Sequence, residues 1–284
     1  NRGGAMTKYL EEAEILENKE VSKDNFLLIL KSNNLLEKLV IPKAGQFYMI
    51  KGKDNANILR RPISLHSYDE QTGELQFYYK VVGVGTKDFT RFEKGEKIDI
   101  QGPLGNGFTT DYKNKKIVVI GGGIGLAPFK QLINEMKKDN EIVFIGGARN
   151  REEIKIIDNF GIVESDNIKV KLCTDDGSVG QEGFTTNILE EYMINKENKI
   201  DIIFACGPHA MLEAVGAIAN NNKIKCELSL EERMACGVRA CVGCSIKTLS
   251  GMKKVCHDGP IFDSTIIIQD KNIEVLEQGG CGCD

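Results

Sequence analysis

The sequence predicts a multidomain β plus α/β protein: an antiparallel barrel or sandwich, then a parallel-sheet domain, then a small cysteine-rich domain. Three observations predict it. Short runs rich in β-branched and aromatic residues, separated by turn residues, fill the first third of the chain. Continuous apolar runs alternate with segments of helical period in the middle. Four cysteines then crowd into the stretch Cys236–Cys256.

The first domain is expected over residues 6–110. Its strand candidates are "FLLILK" (Phe26–Lys31), "FYMIKG" (Phe47–Gly52), "RPISLHS" (Arg61–Ser67), "LQFYYKVV" (Leu75–Val82) and "KIDIQG" (Lys97–Gly102). The turn signals "KAGQ", "DEQTG" and "EKGE" punctuate them, and one short helix fits between Thr86 and Phe92. The second domain is expected over 111–225. "KIVVIGGG" reads as a strand buried on both faces, and "LAPFKQLINEMKK" follows it with helical period. "EIVFIGG", "NIKVKLCTDD" and "IDIIFACGP" continue the alternation, with "AMLEAVGAIANN" as a further helix. The third domain, 226–284, holds the cysteine cluster and a tail. Residues 1–5 precede Met6 and read as a remnant of expression, outside the fold.

Composition narrows the function. The 284 residues are 41% hydrophobic and 27% charged, with a formal net charge of −4, so no nucleic-acid partner is expected. No apolar run reaches the roughly 18 residues of a membrane span, so no membrane partner is expected either. No secretory signal is visible, which points to a cytoplasmic, reducing setting where clustered cysteines bind metal more readily than they pair.

"GGGIGLAP" (Gly121–Pro128) follows an apolar strand and opens a helix. Glycine lets the backbone approach a pyrophosphate, and a helix N-terminus favours its charge. The strict G-x-G-x-x-G pattern fails, because the sixth position is Leu126 from Gly121 and Pro128 from Gly123. A glycine-rich turn without ligand is the alternative. "FACGPHAM" (Phe204–Met211) and "CTDDGS" (Cys173–Ser178) end later strands and would face the same crevice.

Cys236-x4-Cys241-x2-Cys244, with Cys256 eleven residues on, has the plant-type spacing for a [2Fe–2S] cluster. Zinc is the alternative, although zinc ribbons usually pair two C-x2-C knuckles. Gly237, Ala240, Gly243 and Ser245 keep the loop small, so backbone amides can approach sulfur. Cys173, Cys206 and Cys226 stand apart and read as small buried hydrophobes, and Cys281 and Cys283 as an unstructured end.

Taken together, G-x-G-x-x-P at Gly123–Pro128, Cys206-Gly207-Pro208 and R-x-x-S at Arg61-Pro62-Ile63-Ser64 resemble the ferredoxin–NADP reductase superfamily. The resemblance implies a flavin-binding barrel before a nicotinamide-binding domain. FAD would be held by Arg61, Pro62, Ile63, Ser64, by Tyr78, Tyr79, Lys80, and by Gly85 and Thr86. NAD would lie over Gly121, Gly122, Gly123, Ile124, Gly125 and Cys206, Gly207, Pro208, with Cys206 either near the nicotinamide or packing a strand end. Arg149 and Arg151 would either read a 2′-phosphate or be solvated charges at a helix start; the resemblance implies NAD.

The longer stretch "SLEERMACGVRACVGC…KKVCHDGPIF" (Ser229–Phe262) resembles the electron-transfer subunits of NAD-linked, heteromeric dihydroorotate dehydrogenases, and the likeness runs from about Met6 to Phe262. It implies an oxidoreductase subunit of pyrimidine biosynthesis. Cys236, Cys241, Cys244 and Cys256 would carry the cluster, and electrons would come from an FMN-containing catalytic subunit in a heterotetramer. The small subunit of the bifurcating NADH-dependent ferredoxin–NADP oxidoreductase has the same layout, but its first ligand position resembles an aspartate where this chain has Cys236. That relative, and a zinc-stabilised nucleotide-binding regulatory module, are the competing expectations. His66, His209 and His257 are scattered, and none is assigned as a general base.

Overall fold

The computed structural model describes residues 9–267, apart from 55, 57, 163 and 196. Six antiparallel strands close a barrel in the order β1-β2-β5-β4-β3-β6. They are β1 (Tyr9–Ser22), β2 (Asn25–Lys31), β3 (Phe47–Ile50), β4 (Arg61–Asp69), β5 (Glu74–Lys80) and β6 (Lys97–Leu104). Helix α1 (Asn33–Leu36) follows β2, and α2 (Val84–Phe89) follows β5. Inward residues alternate along each strand, so Ala13, Ile15, Leu28, Leu30, Leu65 and Phe77 fill the interior while Phe89 and Phe92 close one end. The five expected strands are present. The sixth, β1, is rich in Glu on its outer face and closes the barrel by pairing with both β2 and β6.

The second unit is a seven-stranded sheet in the order β10-β9-β8-β7-β11-β12-β15. Its strands are β7 (Lys116–Gly122), β8 (Glu141–Ala148), β9 (Ile168–Thr174), β10 (Gln181–Glu182), β11 (Ile202–Cys206) and β12 (Lys225–Ser229), all parallel, with β15 (Ile261–Asp263) antiparallel at the edge. Helices α3 (Phe129–Met136), α4 (Arg151–Ile154), α5 (Thr185–Ile194) and α6 (His209–Asn221) cover it. Both faces of β7 are buried. Val118 and Ile120 pack with Leu189 and Val215, and Ile117 and Val119 pack with Phe129 and Leu132. That explains the unbroken apolar run in the sequence.

The cysteine loop precedes a hairpin, β13 (Ser245–Thr248) and β14 (Gly251–Lys254), and helix α7 (Val255–Asp258). Two strands tie this region into the sheet. β12 straddles the 225/226 boundary expected from the sequence, and β15 returns to pair with it. Asn106, at the barrel exit, receives the Ile261 amide at 2.9 Å and donates to its carbonyl at 2.8 Å. The three units therefore pack as one body. Among the described residues no helix is long and apolar enough to cross a membrane. Residues 1–5 and Cys281 and Cys283 lie outside the described residues.

Candidate functional site

The R-x-x-S motif opens β4, paired to β3 as Ile50↔Arg61 and Phe47↔Ser64. Arg61 donates to the Leu59 carbonyl at 2.5 Å. Its guanidinium lies against Gly85 so closely that a Cβ there would stand 2.0 Å from Nε. A side chain at that position would have to push the guanidinium aside, so the first turn of α2 and the guanidinium share one corner. The amides of Val84, Gly85 and Thr86 open the helix and have no carbonyl within it to bond. The Thr86 hydroxyl accepts from the Val82 amide at 2.9 Å and donates to the Gly83 carbonyl at 3.3 Å, so it is spent on the turn. Val82 and Val84, on either side of Gly83, are 79% and 74% exposed. Tyr79 points into the barrel, its hydroxyl on Asn18 at 3.0 Å, while the buried Tyr78 ring packs toward the second domain. From β5, Lys80 lines the cleft of the second domain.

At the carboxyl ends of β7, β8, β9 and β11 a cleft of about 640 Å³ opens. Gly122, Gly123, Ile124, Gly125, Gly207 and Pro208 line it, as the sequence placed them together. Gly121 is buried in β7, and Cys206 is 1% exposed; neither lines the cleft. Burial raises the Cys206 thiol well above its ordinary range, and it pairs with Ser229. Arg149 lines the cleft, but Arg151 is spent on Ser178, whose hydroxyl accepts its amide at 2.8 Å.

A Cβ on Gly125 would meet Gly207 Cα at 2.6 Å and the Cys206 carbonyl at 2.7 Å, both backbone. The two loops touch only because Gly125 has no side chain. Gly125→Val should therefore weaken NAD binding by roughly tenfold or more, as overpacking pushes the loops apart. Bound flavin should not change. Calorimetry showing an unaltered NAD affinity would contradict this geometry.

In the cysteine loop, Cys236 Sγ accepts from the amides of Cys241 at 3.3 Å and Val238 at 3.4 Å, and lies 3.3 Å from Cys241 Sγ. The Arg239 amide bonds to Cys256, which is also hydrogen-bonded to Cys244. Positive φ at Gly237 and Arg239 turns these amides inward. Such a nest suits an anionic thiolate-bound cluster. Among the described residues no three His, Cys, Asp or Glu side chains are gathered so that they could hold one metal ion. Burial alone would raise the Cys236 thiol, but the amides of Cys241, Val238 and Ala240 and the Cys241 thiol together outweigh it and bring it down to about 7. Burial pushes Cys256 up to about 11 and Cys226 up to about 12. In chain stripped of metal, iodoacetamide should alkylate Cys236 first near neutral pH. Its rate should fall as pH drops through about 7, where the thiolate is lost. Equal labelling of Cys236 and Cys226, read by mass spectrometry, would overturn this ranking.

The three places are contiguous. Gly237 rests on Met49 of β3, where a Cβ would stand 2.6 Å from Met49 Cγ, and Met49 pairs with Pro62 of the R-x-x-S motif. Neighbouring strands lie about 5 Å apart, so the cysteine loop is one strand away from the Arg61 corner. On the other side, Lys80 reaches Glu153 at 3.1 Å, joining the barrel to the cleft wall. Sequence reasoning missed Glu153, Phe184, Met211 and Glu231, all of which line the cleft. Phe184 carried a usable signal: a lone aromatic after "GQEG", 67% exposed at the start of α5.

Comparison with known proteins agrees with this order. An oxidoreductase FAD-binding domain matches residues 12–108 and an oxidoreductase NAD-binding domain matches 119–216. The iron-sulfur cluster binding domain of dihydroorotate dehydrogenase B matches 231–268. The dihydroorotate dehydrogenase B (NAD(+)) electron transfer subunit of Listeria innocua is 37% identical, over 88% of this chain and 96% of its own. That of Caldanaerobacter subterraneus subsp. tengcongensis is 34% identical, over 78% and 85%. Among solved structures, one described for flavin-based electron bifurcation in the NADH-dependent reduced ferredoxin-NADP oxidoreductase aligns at TM-score 0.80, 25% identical, over 97% of this chain and 95% of that one. The ferredoxin reductase of carbazole 1,9a-dioxygenase, 21% identical over 78% of this chain and 68% of its own, shares the fold at TM-score 0.65.

Proposed function

The chain belongs to the family of dihydroorotate dehydrogenase B electron transfer subunits, and we propose from that premise that it conducts electrons between an FMN-containing catalytic subunit and NAD⁺ in pyrimidine biosynthesis. The observation that carries the reading is the contiguity of the three places: cysteine loop on β3, Arg61 corner on β4, and the cleft beyond Lys80. When bound, FAD supplies the exchange between the two electrons of a hydride and the single electrons an iron–sulfur cluster handles.

The chain's own residues bind and orient. The Arg61 fork and the opening amides of α2 hold the flavin pyrophosphate. The backbone of Tyr78–Lys80 and the Pro62–Ser64 segment line the flavin's edge. Gly122–Gly125 and Gly207–Pro208 seat the dinucleotide backbone, with Phe184 an apolar lip to the cleft. Cys236, Cys241, Cys244 and Cys256 ligate the cluster, and the amides of Val238, Arg239, Ala240 and Cys241 favour its negative charge.

The partner meets the chain at the cluster. Val242 stands 72% exposed between two ligands, with Leu249 and Met252 65% exposed on the adjoining hairpin. These side chains form the apolar centre of an interface that also brings a second redox group near, in a heterotetramer of two chains of each kind. The bifurcating oxidoreductase subunit shares the layout, but Cys236 completes an all-cysteine ligand set here. Purified chain should carry bound flavin and iron, and should reduce an artificial dye with NADH. Zinc without flavin would instead support a regulatory module.

A further inference from the structure

One buried titratable side chain is unused by that account. His66 lies two residues beyond Ser64 on β4 and is fully buried. The β4–β5 register slips between Leu65 and Ser67, so His66 occupies a bulge. Ile63 and Leu65 face the barrel core, so alternation points His66 outward, where its ring meets the second domain. Its Nδ1 lies 2.5 Å from the carbonyl oxygen of Ala127, between Gly125 and the start of α3. Its ring meets Tyr78 of β5 edge-on at 4.7 Å and Phe160 of the second domain at 4.8 Å. A carbonyl only accepts, so the single proton of a neutral imidazole sits on Nδ1. Among the described residues, Nε2 is buried without a hydrogen-bond partner.

Burial lowers the imidazole to about 3, against the upward pull of the Ala127 bond, and Lys130 adds to the lowering. The ring is therefore neutral throughout the physiological range, and its one donor is permanently committed. Two part-buried hydrogen bonds also join the barrel to α3: Lys130 to Gln76 of β5 at 3.1 Å, and the Tyr68 amide to Gln131 at 3.3 Å. His66 is a fully buried tie between the strand bearing R-x-x-S and the loop bearing G-x-G-x-x-P.

We propose that His66 is a positioning residue that fixes the glycine loop against the flavin-binding strand through its Nδ1–H bond to Ala127. The inference rests on reading that loop as the dinucleotide site and that strand as the flavin site. Its consequence is a split: losing the donor loosens the loop and weakens NAD binding, while flavin stays bound.

The test compares the full chain with His66→Leu, which removes the donor, and His66→Asn, which keeps a donor near the Nδ1 position. Hydrogen–deuterium exchange is read over residues 121–130, NAD affinity by calorimetry, and flavin per chain by absorption. In His66→Leu, exchange should quicken in that loop and NAD affinity should fall roughly tenfold, the scale of one buried hydrogen bond. His66→Asn should recover most of both, and flavin content should match the wild type in both variants. Unchanged exchange and affinity in His66→Leu would overturn the proposal. So would flavin and NAD being lost together with no recovery in His66→Asn, the pattern of a merely structural residue. Should His66→Leu fail to fold, nitrogen NMR of the wild-type histidines decides. One ring should remain neutral and Nδ1-protonated from about pH 5 to about pH 9 and shift when NAD is added. A titrating or Nε2-protonated His66 would overturn the proposal. Wild-type chain that binds flavin but no NAD would instead sink the underlying reading of the loop.

Discussion

Cys241→Ser should abolish electron transfer to and from the catalytic partner while leaving NADH-to-dye reduction nearly intact. Cys241 Sγ lies 3.3 Å from Cys236 Sγ, and the Cys241 amide is one of the donors that draw the Cys236 thiol down to about 7. A serine hydroxyl is a hard, protonated ligand where a soft thiolate is needed. Partner-dependent turnover should fall by at least the roughly 100-fold that disturbing even an outer partner of a metal site can cost. The loop lies on the outside of the barrel, and the Arg61 corner and the cleft are built from other segments. Flavin and NAD sites should therefore survive, and dye reduction with them. Iron content and both activities are measured on the same preparation; equal loss of the two activities would mean the cluster only props up the fold.

The second large effect is at the flavin corner. Arg61→Ala removes a planar fork able to make two charge-assisted bonds to a pyrophosphate. Losing them costs about 2–3 kcal/mol, roughly a 30- to 150-fold loss of FAD affinity. Gly85 should then face a void where the guanidinium lay. Arg61 does not line the dinucleotide cleft, so NAD affinity should change little. Arg61→Lys keeps the charge without the fork and should fall between. Gel filtration followed by flavin absorption separates these outcomes. Full flavin retention in Arg61→Ala would move the flavin site elsewhere on the barrel.

These effects also show which parts of the fold could be read from sequence. The buried strands were legible because both faces of β7 and β11 exclude water, leaving no polar residue after Lys116 to blur the run. β1 was not, because its outer face is Glu-rich and Ala13 and Ile15 are the fully buried apolar residues among those described in it. β15 was hidden for another reason: three residues carry no period, and their pairing with β12 is set by distant chain. At the site, glycine and cysteine motifs were legible because backbone approach and thiolate ligation demand those residue types. Side-chain direction was not. Tyr78 and Tyr79 sit within a flavin-type motif, yet they face two different cores. Lys80 and Glu153 are far apart in sequence, and only the packing of barrel on sheet makes them a pair. That His66 meets the Ala127 carbonyl is likewise set by the packing of barrel on second domain, which composition does not encode.

The central claim is that electrons pass between a partner's FMN and NAD⁺ through this one chain. The most direct measurement mixes the purified chain, without oxygen, with the FMN-containing catalytic subunit, dihydroorotate and NAD⁺, and follows NADH formation. NADH should form only when both proteins are present, and none should form when Cys241→Ser replaces the wild-type chain. A stable complex of both proteins, each with its cofactors bound, that oxidises dihydroorotate yet yields no NADH would contradict the claim.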